Sequence, residues 1–180
     1  MNEKDVVKKS KFLSLVLRHK PEEIGLTLDK NGWADTDELI TKAKSIKLDL
    51  ESLKYIVENN DKKRFAFNED YSKIRASQGH SIEVDLNYQP QEPPDVLYHG
   101  TTDKYLDSIK LNGIQKQKRQ HVHLSFDKET AIKVGQRHGK PIILKINTKK
   151  MYEDKVPFYL SANNVWLVDQ VLPEYIEIDS

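Results

Sequence analysis

Three arginines stand where the chain needs more than a surface charge: Arg18 in Leu17-Arg18-His19 at the end of an apolar helical run, Arg75 inside Ile74-Arg-Ala-Ser-Gln-Gly-His-Ser81, and Arg137 in Arg137-His138-Gly139. A guanidinium is a planar fork of donors that stays charged and meets phosphate oxygens two at a time, whereas a lysine ammonium is a mobile point charge. Lysines far outnumber arginines in this chain, which sets these positions apart. Their combination predicts a phosphate clamp. His19 adds an imidazole that titrates near neutrality and suits a general base or a hydrogen-bond partner. Each residue also has a plainer reading. Arg18 and His19 could complement a helix dipole, worth about 0.3–1 kcal/mol. Arg75 could be an exposed hairpin arginine and Arg137 another helix-end cation.

A second group is the pair of segments His99-Gly100-Thr101 and His121-Val-His123-Leu124-Ser125. Alternate strand residues share a face, so His121 and His123 could form a metal pair. With no cysteine, and no carboxylate at ligand spacing, the expectation is that no metal is bound. Trp33 and Trp166 are expected in the core rather than as base-stacking platforms.

The elements that must carry these residues follow from periodicity and punctuation. Val6, Val7, Phe12, Leu13, Val16 and Leu17 recur at helical spacing and predict a helix over residues 3 to 18, which Pro21 stops. A second helix should start at Asp35, with Glu38 completing a capping box, and a third at Asp49 with Leu50, Leu53, Ile56 and Val57 on one stripe. Arg64 to Phe67 and Tyr71 to Arg75 then read as a hairpin around Asn68-Glu69-Asp70. Three helices and a hairpin make a winged-helix-like lobe over residues 1–90. Pro90, Pro93 and Pro94 mark a boundary. The lobe over residues 95–180 reads as strand-rich: strands over 96–101, 121–125, 141–147, 156–160, 165–168 and 175–178, a helix over 105–111, and a helix from Asp127 through Arg137 ended by Gly139. The whole is α+β, without the regular alternation of a doubly wound sheet.

Composition bounds the partners. With 180 residues the chain can bury a core without staples. Zero cysteines exclude a disulfide framework and fit a reducing cytoplasm. No apolar run approaches the ~20 residues of a membrane span, so a soluble protein is expected. The 29 basic and 28 acidic residues leave a net charge of +1, which is silent about nucleic acid. Their distribution says more: basic runs fall at Lys8-Lys9-Lys11, Lys42-Lys44-Lys47, Lys62-Lys63-Arg64 and Lys116-Lys118-Arg119, although each alone is equally well a solvated face.

Seven blocks in order, Leu15-Val-Leu-Arg-His-Lys-Pro21, Gly32-Trp33-Ala34, Ile74 to Ser81, Leu97-Tyr-His-Gly-Thr101, His123-Leu-Ser125, Val134 to Pro141 and Val165-Trp-Leu167, resemble those of the RNA 2′-phosphotransferase (Tpt1/KptA) family over nearly the whole chain. The resemblance implies an N-terminal winged-helix RNA lobe and a C-terminal lobe of ADP-ribosyltransferase fold. It implies NAD+, consumed as co-substrate, and a 2′-phosphorylated, tRNA-like RNA as partner. The 2′-phosphate would attack the nicotinamide ribose to give RNA-2′-phospho-ADP-ribose, and the ribose 2″-hydroxyl would then attack phosphorus. The products would be 2′-hydroxyl RNA, nicotinamide and ADP-ribose 1″,2″-cyclic phosphate. On matching positions, Arg18, His19, Arg75 and Arg137 become the catalytic tetrad. His99, Gly100, Thr101, His123, Leu124, Ser125 and Val165 become the NAD+ site, and Ser77, Gln78, Gly79 and His80 meet the RNA. Gly100 is expected to let the backbone approach the ligand. A cytoplasmic monomer is expected.

Two other classes remain beside it. One is an ADP-ribosyltransferase acting on protein or on RNA terminal phosphates. Protein-directed enzymes of that fold carry a glutamate on a late strand, and Asn163-Asn-Val-Trp-Leu167 has none. The other is a regulator that senses NAD+ or ADP-ribose, which would have no use for three arginines.

Overall fold

The computed structural model describes residues 1–179, in two compact units, one over Met1–Asn87 and a second beginning at Tyr88. The first contains α1 (Glu3–Arg18), a 3-10 turn (Pro21–Ile24), β1 (Ala34–Asp35), α2 (Thr36–Lys42), α3 (Leu50–Glu58), β2 (Phe65–Phe67) and β3 (Lys73–Ala76). Its antiparallel sheet has the order β1-β3-β2, with Ala34 opposite Ile74 and Phe65 opposite Ala76. Each helix starts on a side-chain cap: Asn2 accepts from the Asp5 N–H, Asp35 from Glu38, and Asp49 from Ser52, whose hydroxyl bonds back to the Asp49 N–H. The predicted box at Asp35 is half made, because the Glu38 carboxylate turns to Lys42 at 2.6 Å. Leu13, Val16, Leu17, Leu39, Leu53 and Ile74 are fully buried and fasten the helices to the sheet.

The second unit contains β4 (Leu97–Thr102), α4 (Asp103–Asn112), β5 (Ile114–Gln115), β6 (Val122–Leu124), α5 (Lys128–Gly135), β7 (Pro141–Ile146), α6 (Thr148–Glu153), β8 (Tyr159–Leu160), β9 (Trp166–Val168), β10 (Gln170–Val171) and β11 (Ile176–Asp179). Two three-stranded sheets, β11-β7-β4 and β6-β9-β8, are joined by reciprocal backbone bonds between Tyr98 and Ser125, and β10 pairs with β5. Leu97, Leu124, Leu144, Ile146, Phe158 and Val168 are fully buried in its core, with Trp166 among them.

The expected helix to Arg137 stops earlier. Gly135 packs its bare Cα against Pro141 and the Thr101 carbonyl, and the chain tightens into a 3-10 turn over Gln136–His138. The strand expected over 156–160 shrinks to Tyr159–Leu160, because the Val156 N–H bonds the Met151 carbonyl and closes α6. No described helix is long and apolar enough to cross a membrane.

Candidate active site

In the first unit the apolar stripe of α1 drives the helix into the core and carries its last residue with it. Arg18 is therefore buried, not a solvent-facing dipole partner, and its guanidinium lies 5.9 Å from the Phe65 ring centroid. His19 ends the helix. The chain returns here some sixty residues later: the Ser81 N–H donates to the Arg18 carbonyl at 2.9 Å, and the Ser81 hydroxyl meets His19 Nδ1 at 2.8 Å. Gly79 lets this segment turn over the guanidinium because its φ of +84° is a left-handed conformation that other residues adopt only with strain.

Arg75 comes from β3. Its guanidinium lies 4.5 Å from the Trp33 ring centroid and donates to the Asn31 carbonyl at 3.3 Å. Trp33 is thus half-buried beneath a cation, where the sequence placed it in the core. The Asp29 carboxylate builds that turn by accepting from the Asn31 and Trp33 N–H groups at 2.9 and 3.0 Å.

His80 lies between these groups with 1 % of its surface exposed, and neither ring nitrogen has a hydrogen-bond partner. Burial, then the charges of Arg18, Arg75 and His19, push its pKa down to about 4. It is therefore neutral near pH 7. The Gln78 side-chain oxygen Oε1 is also buried without a partner. Orphaned polar atoms of this kind cost about 1–3 kcal/mol each. Of Ser77, Gln78, Gly79 and His80, expected to meet RNA, Ser77, Gln78 and His80 have buried side chains, Gly79 is buried backbone, and the Ser77 hydroxyl donates to the Lys63 carbonyl. Ser81 is the exposed member of that segment; its signal was the hydroxyl ending the Gln-Gly-His-Ser block.

In the second unit the Tyr98–Ser125 bridge sets β4 beside β6 and brings His99 to His123. His99 Nδ1 lies 3.1 Å from the His123 carbonyl, which can only accept, so Nδ1 carries the proton and Nε2 is an acceptor. Burial lowers the His99 pKa against that bond. His123 has the opposite polarity: Arg119 donates to its Nδ1 at 3.1 Å, so the neutral ring keeps its proton on Nε2. The two imidazoles offer an acceptor and a donor on neighbouring strands. His121 packs against Tyr159 instead, at 5.7 Å. No group of three or more His, Asp or Glu side chains suited to a metal occurs among the described residues.

Gly100 differs from expectation. Its missing Cβ would fall 1.9 Å from the Ala131 carbonyl oxygen, so the space it leaves is taken by α5 and not by a ligand. Thr101 and Leu124 are buried, so their side chains belong to the unit's interior. Val165 is fixed just before β9 by its N–H to the Ser161 hydroxyl at 3.0 Å. Arg137 is exposed on the 3-10 turn, followed by His138, whose ring meets Tyr105 edge-on at 6.3 Å. The first unit thus gathers Arg18, His19 and Arg75 around His80, and the second carries Arg137. Asn31, Trp33 and Arg119 join the cast from structure; Arg119 was visible only as one member of a basic run.

A family model described as "RNA 2'-phosphotransferase, Tpt1 / KptA family" matches residues 4–170. A "Probable RNA 2'-phosphotransferase" of Flavobacterium johnsoniae is 62 % identical, covering 100 % of both chains. One from Fusobacterium nucleatum is 56 % identical over 95 % of this chain and 97 % of its own, and one from Hahella chejuensis 52 % identical over 98 % and 96 %. Matches that run through Arg18, Arg75 and Arg137 alike and leave almost no part of the chain uncovered place it: the chain belongs to the RNA 2'-phosphotransferase, Tpt1 / KptA family.

Proposed function

We propose that this chain is an NAD+-dependent RNA 2′-phosphotransferase that takes an internal 2′-phosphate from a tRNA-like RNA. The observation that carries the reading is the gathering of Arg18, His19 and Arg75 around one buried, neutral imidazole, on a family background that names the reaction. The first unit supplies the winged-helix-like lobe and presents the RNA phosphate; its three helices and small sheet favour that assignment. The second supplies the ADP-ribosyltransferase-like lobe.

The second unit's residues fit a dinucleotide. His99 Nε2 can accept from a ribose hydroxyl and His123 Nε2–H can donate to one, while the buried Thr102 hydroxyl has no partner of its own. Ser125, on the bridge to β4, stands beside them. Bound there, NAD+ supplies an anomeric carbon with nicotinamide as leaving group.

Arg18 and Arg75 hold the RNA 2′-phosphate so that one of its oxygens forms the bond to that carbon as the bond to nicotinamide breaks; positioning dominates this step. In the second step the ribose 2″-hydroxyl attacks phosphorus, and the RNA 2′-oxygen departs and takes up a proton from solvent to become the 2′-hydroxyl. His19, oriented through Nδ1 by Ser81, takes up the hydroxyl proton, and Arg137 stabilises charge on the phosphoryl oxygens. Three guanidiniums do the work that a divalent cation does in many phosphoryl transfers.

The test is incubation of the full chain with NAD+ and a 2′-phosphorylated oligonucleotide in excess chelator. Nicotinamide, 2′-hydroxyl RNA and ADP-ribose 1″,2″-cyclic phosphate are expected. ADP-ribose left on a protein or on an RNA terminal phosphate, with the 2′-phosphate intact, would replace the reading by a transferase of that kind.

A further inference from the structure

Two guanidiniums of the second unit have no counter-charge. Arg119 and Arg137 lie close enough for the Arg137 charge to act on Arg119, yet neither forms an ion pair with a carboxylate among the described residues. The neighbouring Lys116 is treated differently: it is paired with Asp169 at 2.6 Å. That ion pair, and the Arg119 N–H donating to the Lys116 carbonyl at 3.0 Å with Gln117 at φ +52°, form a built turn that aims Arg119. Its guanidinium then spends one N–H on His123 Nδ1 and keeps the rest of its fork. Partial burial and Arg137 both lower its pKa, the mark of a cation set where its charge is opposed. Like charges brought together without an acid between them are relieved by an anion, and a fork of guanidinium donors matches phosphate oxygens.

We propose that Arg119 is a diphosphate-binding residue, acting beside Arg137 on the phosphates of the dinucleotide whose ribose His123 contacts. This rests on the NAD+ reading above and deepens it. The bond from Arg119 to His123 joins phosphate binding to ribose binding: one guanidinium touches the anion and fixes which His123 nitrogen carries the proton.

The test is isothermal titration of the full chain, and of its R119A, R119K and H123A variants, with inorganic pyrophosphate, ADP and adenosine. Expected are a loss of at least about tenfold in ADP and pyrophosphate affinity for R119A with adenosine unchanged, partial recovery in R119K, which keeps the charge but not the fork, and pyrophosphate affinity retained in H123A. Equal ADP affinity in R119A, failure of the unsubstituted chain to bind either phosphate compound, or a weakening confined to a 2′-phosphorylated oligonucleotide would each overturn the assignment. A chain that binds pyrophosphate through Arg119 but releases no nicotinamide from NAD+ would refute the reaction and leave the site standing.

Discussion

Because the His80 imidazole is held near a pKa of about 4 in the folded chain and titrates near 6.5 when unfolded, acid favours unfolding. The unfolded chain binds the proton first as pH falls, so this contribution is whole above about 6.5 and is lost by about 4, at a cost of about 3 kcal/mol. His99, its pKa lowered by burial, acts with the same sign. Denaturant melts between pH 7 and 4.5 should show stability falling steeply for the natural chain and less steeply for H80Q; parallel curves would mean that His80 is not neutral inside the fold. At His19 and Arg137 the prediction is kinetic. H19A or R137A should lose about 10²–10³ in the second step while nicotinamide release continues, so RNA-2′-phospho-ADP-ribose accumulates. Variants that bind both substrates but release no nicotinamide would move these residues to the first step. The sequence pointed to these side chains as a resemblance and a clamp, but it could not show that Arg18 is inside the protein or that Trp33 carries Arg75. Burial of a cation and support by an aromatic face depend on contacts far along the chain.

At the level of elements, Gly100 on β4 and Ala131 on α5 define how closely strand and helix approach. G100A would drive a methyl group into backbone on α5, which cannot rotate away, and should cost at least the about 1–3 kcal/mol of ordinary overpacking. A G100A chain that melts with the natural one would show that β4 and α5 are further apart than described. The helices with strong signals were legible: α1 by its stripe, α2 and α3 by Asp35 and Asp49. So was the β2–β3 hairpin. The two-residue strands β1, β5 and β10 are too short to show alternation, and α6 hid in Asn147-Thr-Lys-Lys, where polar residues mask a helix whose start Asn147 caps. Gly100 was read as room for a ligand because sequence does not say which neighbour fills a missing side chain.

For the whole molecule, the division into units falls between Asn87 and Tyr88. If the first unit presents RNA, binding should weaken linearly in log salt, and R75A should lower affinity across sequences and reduce the salt slope by about one. Fluorescence anisotropy over a salt series decides this; an unchanged slope would take Arg75 off the phosphate. Of the basic runs, Lys42 is spent on Glu38, so charge density in sequence overstated what that run can offer. The return of the chain to the end of α1 also governs when the site can exist during synthesis. Arg18 and His19 leave the ribosome well before Ser81, which stands 62 residues after His19 and holds both through its N–H and hydroxyl. Until that serine emerges, the end of α1 lacks the two bonds that Ser81 supplies to Arg18 and His19. If Arg18 and His19 serve the phosphate as proposed, their site is completed late, when the first unit is almost fully translated, and shorter nascent chains lack it.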